Sequence, residues 1–162
     1  PIFLPAERSG RESISQMEES IMTPTPPPTI VHPTRPKAKK PSLPPALTQD
    51  HIKKLISQLG DDLNRVKSSG TDDGKASLAA SLVDGMTSKL TAALASAPVP
   101  AATWVAALGT ELQDFADLMV LVFGSSVQTG ACFYSNPTGC INCTKDQCDS
   151  LHGTYADSQD CP

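Results

Sequence analysis

Eleven of the fifteen prolines fall within the first 46 residues of this 162-residue chain, and that distribution decides how much of it can fold in the ordinary way. Proline fixes φ and removes a backbone donor, so it stops helices and is confined to sheet edges. The same stretch has few bulky apolar residues, too few to offset the entropy of ordering it. Residues 23–45, "TPTPPPTIVHPTRPKAKKPSLPP", read as polyproline II, an extended and stiff spacer. The chain therefore divides into a disordered or extended Pro-rich arm (1–46), a folding region (47–127) and a cysteine-rich end (130–162).

Charge divides along the same line. Residues 1–45 carry six Lys/Arg against four Asp/Glu, and the remainder carries seven against thirteen. An acidic body argues against nucleic acid, whose affinity is dominated by phosphate neutralisation. The basic run "RPKAKK" (35–40) reads as a solvated linker patch. PxxP spacings at Pro33/Pro36 and Pro41/Pro44 are similar to docking sites for proline-binding modules, but the flanking basic residue is missing. No apolar run reaches the roughly 18 residues of a membrane span, and "PIFLPAERSGRE" does not read as a secretory signal.

The middle region has helical periodicity. Thr48 is placed as an N-cap with Asp50 in the first turn, and Ile52, Leu55, Ile56, Leu59, Leu63 and Val66 follow on one face. "SSGTDDG" (68–74) ends that helix and offers Asp72 or Asp73 as the next cap. A second stripe carries Leu78, Leu82, Val83, Met86, Leu90 and Leu94, and stops before Pro98 and Pro100. A third helix, from about Ala101 to Phe123, turns Trp104, Val105, Leu108, Leu112, Phe115, Leu118, Met119 and Val122 inward, with Gly124 as its stop. Three stripes on short loops predict a mainly α fold, an antiparallel three-helix bundle. Val120, Leu121 and Phe123 add a second apolar side to the third helix. That surplus suits a wide buried face, a cover for the cysteine-rich end, or a contact with another subunit.

The last 33 residues contain all five cysteines: Cys132, Cys140, Cys143, Cys148 and Cys161. Cys140, Cys143, Cys148 and His152 form C-x2-C-x4-C-x3-H, close to a zinc knuckle with its last two ligand types exchanged. The neighbours Asp146, Asp149 and Asp157 are acidic, unlike those of nucleic-acid-binding knuckles. Cys140-Ile-Asn-Cys143 also has redox-pair spacing, without the strand–helix setting that lowers a thiol pKa. Asn142-Cys143-Thr144 matches the N-glycosylation triplet. With only Ile141, Leu151 and Tyr155 to bury, the segment needs bridges or a metal to hold it.

"GACFYSNPTGCINCTKDQCDSLHGTYADSQDC" (130–161) resembles a short G-A-C-C…C…C…G-G-T-Y…C repeat of secreted and surface bacterial proteins. Gly130, Ala131, Cys132, Cys140, Thr144, Cys148, Gly153, Thr154, Tyr155 and Cys161 fall on matching positions. Phe133 replaces the second adjacent cysteine, and Cys143 stands where leucine is usual. The resemblance implies an oxidising compartment and a stapled surface module in which all five cysteines are disulfide candidates. Two bridges among five cysteines allow fifteen pairings, and the sequence does not choose between them.

Other chemistry finds little purchase. "LPAERSG" (4–10) resembles a segment of AAA and SMC-like ATPases, yet "GTDDGKA" (70–76) is one residue short of a P-loop and follows a helix. His32 and His51 lie apart from any nucleophile pattern, and the adjacent pairs Asp61/Asp62 and Asp72/Asp73 read as caps and solvated faces. The expectation is a non-enzymatic structural or interaction subunit, extracellular or at the cell surface, without cofactor. Its arm would contact a protein partner, with the end of the third helix as a second contact or as a seam with another copy in an oligomer. The alternative is a zinc module on Cys140, Cys143, Cys148 and His152, and a remote one is an ATPase fragment.

Overall fold

The computed structural model describes residues 26–96, 102–135 and 138–162, with side chains of the third helix from Leu108 onward. Pro98, Pro100 and the "LPAERSG" segment, named above, lie outside the described residues, as do the side chains of Trp104 and Val105. Helices α1 (Gln49–Ser68), α2 (Asp73–Ala95) and α3 (Ala102–Phe123) are followed by a 3-10 turn, Gly124–Ser126. Strand β1 (Thr129–Tyr134), strand β2 (Gly139–Thr144), helix α4 (Lys145–Ser150) and strand β3 (Thr154–Asp157) complete the chain. The fold is mostly helical, with a small antiparallel sheet at its C-terminal end. No helix among the described residues is long and apolar enough to cross a membrane.

The caps form where the sequence placed them. Thr48 accepts from the His51 N–H, and His51 Nδ1 accepts in return from the Thr48 N–H, a reciprocal capping box. Asp72 caps α2 by accepting from the Lys75 N–H. Gly124 takes a left-handed φ of 75° just past α3, a conformation that costs glycine little. On α1 the buried stripe is Ile52, Leu55, Leu59, Asp62 and Val66, with Leu63 only partly covered. On α2 it is Ala79, Val83, Met86 and Leu90, which leaves Leu82 at the margin.

Two expectations are corrected. The cysteine-rich end is a disulfide-bridged sheet of order β2-β1-β3 rather than a separate surface module. It shares one core with the helices, because Cys132, Tyr134, Ile141, Cys143, Cys148 and Leu151 are buried among Leu55, Met86, Leu112 and Phe115. Residues Phe115 to Met119 of α3 are all buried. A helix hidden on every side has partners on every side: α2 packs on α3, and so does β2. The surplus apolar side of α3 mainly covers the cysteine-rich end, and α1 touches α3 only lightly.

The second correction concerns the arm. Residues 26–47 do not stand away from the body as a spacer; they run along it as a strap. Midway along it, the Ala38 N–H donates to Asp160 O and the Asp160 N–H donates to Pro36 O, each at 2.7 Å. At its C-terminal end, the Leu47 N–H donates to Ser135 O at 2.7 Å, and the Ser135 N–H donates to Pro45 O. Pro36 and Pro45 stand where the backbone only has to accept, which proline does without loss. Leu47 is buried in the main core and Ile30 packs against it.

Alternation along the strands explains why the sheet needs both covers. Cys132, Tyr134, Ile141, Cys143 and Tyr155 face the helices, while Ala131, Phe133, Cys140 and Ala156 face the opposite way. Ala38 of the strap and Cys161 close that outer face. A sheet covered on both sides reads as a nearly continuous apolar run, as "GACFY" does.

Candidate functional site

The register of β1 against β2 sets Gly130 opposite Cys143 and Cys132 opposite Ile141, so both cysteines project to the inner face. Thr144 then caps α4, with Gln147 completing a capping box, and this turn delivers Cys148 to the same place. The sulfurs of Cys132, Cys143 and Cys148 lie within 4.8 Å of one another, all buried. Cys132 and Cys148 are joined as a disulfide, and Cys143 is a free thiol. On the outer face Cys140 is bridged to Cys161, and the Cys161 N–H donates to Asn142 Oδ1 at 2.8 Å.

The four residues of the zinc alternative are thus not brought together. Cys140 and Cys148 belong to different disulfides on different faces of the sheet. His152, at a left-handed φ of 51°, is exposed and stacks on His51 at 4.4 Å, with Lys54 Nζ 2.9 Å from its Nε2. Burial first, then the neighbouring His152 and Lys54, hold the His51 imidazole below its usual pKa. Cys132 completes the sulfur cluster, and ligand spacing passed over it because its partners come from pairing across strands.

Chemically the free thiol is quiet. Complete burial, followed by the charge of Asp149, pushes the Cys143 pKa far up and keeps the sulfur protonated. Cys140 and Cys143 lie three residues apart on one strand and point to opposite faces, so they form no redox pair. The glycosylation triplet is taken into the fold, with Asn142 Nδ2 donating to Gln113 Oε1 at 3.1 Å and Thr144 buried.

Glycines fit the cluster to its surroundings. A Cβ at Gly153 would collide with the sulfurs of Cys132 and Cys148, so only a bare backbone can pass over that bridge. At Gly139 the missing side chain is replaced by the Tyr134 ring. The hydroxyls of Tyr134 and Tyr155 are buried without a hydrogen-bond partner among the described residues. Burial, and after it the Cys143 sulfur, pushes both phenol pKa values up.

Polar links tie the layers together. Asp62 on α1 accepts from Gln58 Nε2 at 3.1 Å and from Gln147 Nε2 of α4 at 3.3 Å, and burial raises its pKa. Arg35 of the strap sits in the interior, with Nη2 2.7 Å from Asp160 Oδ1 and Nη1 donating to Thr129 Oγ1 at 2.6 Å. The Arg35–Asp160 pair is close without hydrogen-bond alignment, and Arg35 Nε has no partner among the described residues. The "RPKAKK" patch is therefore not uniformly solvated: Arg35 is in the fold, and Lys39 and Lys40 are exposed. His32 Nε2 lies 2.6 Å from Asp114 and Nδ1 lies 2.8 Å from Asp117, so the imidazole bridges two carboxylates of α3. No sequence signal joined His32 to Asp117, 85 positions away, or to its neighbour Asp114.

Beside His32 runs an apolar groove of about 340 Å³ between strap and helix, lined chiefly by Ile30, Val31, Pro33, Val120 and Leu121. Val31 is 81% exposed and Leu121 53%. The "GTDDGKA" segment forms the α1–α2 turn and the start of α2, a helix–helix connection with no preceding strand. No family model, no curated protein and no solved structure matches this chain.

Proposed function

We propose that this chain is a non-enzymatic structural or protein-interaction subunit of an extracellular or cell-surface setting, engaging a protein partner through the end of α3 and the strap beside it. The groove carries this reading: large aliphatic side chains at Val31 and Leu121 stand in water beside an apolar trough. Grouped exposure of that kind marks an interaction surface more than scattered single residues do. Two disulfides and the likeness of residues 130–161 to a surface repeat support the oxidising setting. The described histidines are engaged with carboxylates, or with each other and Lys54, which favours a structural use. The zinc module and the ATPase fragment are less favoured, since the first has its ligands divided and the second has a helical turn in place of a P-loop.

The test compares the full chain with a Val31→Asp/Leu121→Asp variant. Photo-crosslinking from a probe at Val120, in extract of the source cells, should give a discrete protein adduct that the variant loses while keeping its melting midpoint. An undiminished adduct in the variant would overturn the assignment of the surface. Intact mass should fall short of the fully reduced chain by ~4 Da, two hydrogens per bridge.

A further inference from the structure

Asp114, Asp117 and Leu121 follow one another at steps of three and four residues along α3, so they share one side of the helix. Asp117 and Leu121 both line the groove, and Asp117 is the one charged side chain among the described residues that do. His32 stands between the two carboxylates, with Nε2 toward Asp114 Oδ1 and Nδ1 toward Asp117 Oδ2. One imidazole carries at most one positive charge, so the pair of carboxylates keeps this end of the trough negative. Arg35 of the strap does not offset it, being taken up by Asp160 and Thr129.

We propose that the groove takes a peptide segment in which an apolar side chain stands two residues from a lysine or arginine. This rests on the groove being the contact surface, and it adds the chemistry that the surface reads. The apolar side chain lies among Ile30, Val31, Val120 and Leu121. The cation donates to Asp114 Oδ2 and Asp117 Oδ1, the oxygens that His32 leaves unshared. A hydrogen bond to a carboxylate in so sheltered a place is worth more than an exposed surface pair. Spacing follows from the helix: Asp117 to Leu121 advances about 6 Å, and two residues of an extended chain advance about 6.6 Å on one face.

The strap wall favours a peptide over a lipid chain. Thr29, Ile30, Val31 and His32 donate no backbone hydrogen bond among the described residues, so open N–H groups run beside the trough. An incoming backbone can accept from them as an added strand does, and a hydrocarbon tail cannot. Charge disfavours a second copy. Two copies paired through the same face would each bring Asp114 and Asp117 to the contact, like charge against like.

The experiment selects a phage-displayed random heptapeptide library on the full chain and measures the best peptide by fluorescence anisotropy. Enriched peptides should carry Lys or Arg two residues from an apolar residue, and changing that cation to Glu should weaken binding about tenfold or more. The Asp114→Asn/Asp117→Asn variant, whose amides can still bond His32, should lose a similar factor. Val31→Ser/Leu121→Ser, which removes the apolar wall without adding charge, should abolish binding while keeping the melting midpoint. Peptides that need Val31 and Leu121 yet bind equally well after the change to Glu, or to the Asn variant, would overturn the basic preference and leave the interaction surface standing. Peptides indifferent to Val31→Ser/Leu121→Ser, or no enrichment, would overturn the proposal at the level of the groove itself. A dimer in sedimentation that Leu121→Ser dissolves would give the groove to a second copy. A cross-link from a probe at Val120 to residues 1–25 of the same chain would give it to that segment, and either result would overturn the proposal.

Discussion

In α1 the backbone bonds close within the helix, the cap residue lies next to the first turn, and the buried face repeats every three or four residues. In β1 the partners are remote: Gly130 pairs with Cys143 on one side and Asp157 on the other. One face of that sheet is finished by α3 and the other by a strap from the opposite end of the chain. The helices thus carry much of their own instruction, and the sheet exists only where four distant segments meet. Both disulfides lie within the sheet region, closing loops of 16 and 21 residues, and the contacts of the sheet with the helices and the strap are non-covalent.

The comparison breaks most severely at the strap. Deleting residues 1–46 would remove Arg35 from a buried pair with Asp160 and uncover Phe133 and Ala131. Losing that cover together with the strap's backbone bonds to Asp160 and Ser135 should cost on the order of 3–5 kcal/mol. Calorimetry should show a melting midpoint lower by well over ten degrees, given roughly 2–8 °C per kcal/mol for domains of this range. A midpoint shift of a few degrees would restore the arm to a dispensable spacer.

Opening the inner bridge asks whether helices and sheet are one unit. Cys132→Ala/Cys148→Ala should cost about 2–5 kcal/mol, and the far-UV helical signal should melt together with the near-UV signal. Helices that keep the wild-type midpoint while the tyrosine signal is lost would make the sheet a separate appendage, contrary to the shared core.

Within the helices, Leu112→Ala should cost about 2–5 kcal/mol, since Leu112 is fully buried. Leu82→Ala should cost nearer 1 kcal/mol, because Leu82 only borders the core. Equal losses in denaturant melts would return Leu82 to the centre of the α2 stripe.

A smaller effect sharpens the α1–α4 junction. Burial raises the Asp62 pKa, so the folded chain holds that proton more tightly than the unfolded one. The stability it contributes is full below the unfolded pKa and is lost as pH rises through the raised folded value. Asp62→Asn lacks this titration, so the stability of wild type relative to the variant should fall with rising pH across the carboxylate range. A rise instead would mean that the hydrogen bonds from Gln58 and Gln147 outweigh burial. Least of all, Lys39→Ala and Lys40→Ala, exposed beside the strap's buried Ala38, should stay within about 0.5 kcal/mol.

Three helices, their caps at Thr48 and Asp72 and the stop at Gly124 were legible because helical signals are local. Of the five disulfide candidates four are bridged and Cys143 is a free thiol, and neither that choice nor the pairing was legible. Cys132 meets Cys148, and Cys140 meets Cys161, through a sheet whose apolar run "GACFY" is too short to announce a strand by periodicity. Arg35 and His32 illustrate the same limit. In sequence they are charges on a proline-rich arm, and in the fold they face Asp160, Asp114 and Asp117. Composition marks the arm as poor in residues that could bury a core of their own. Tertiary structure decided that residues 26–47 borrow one, because a backbone that cannot pair with itself can still satisfy its donors and acceptors along another element's edge.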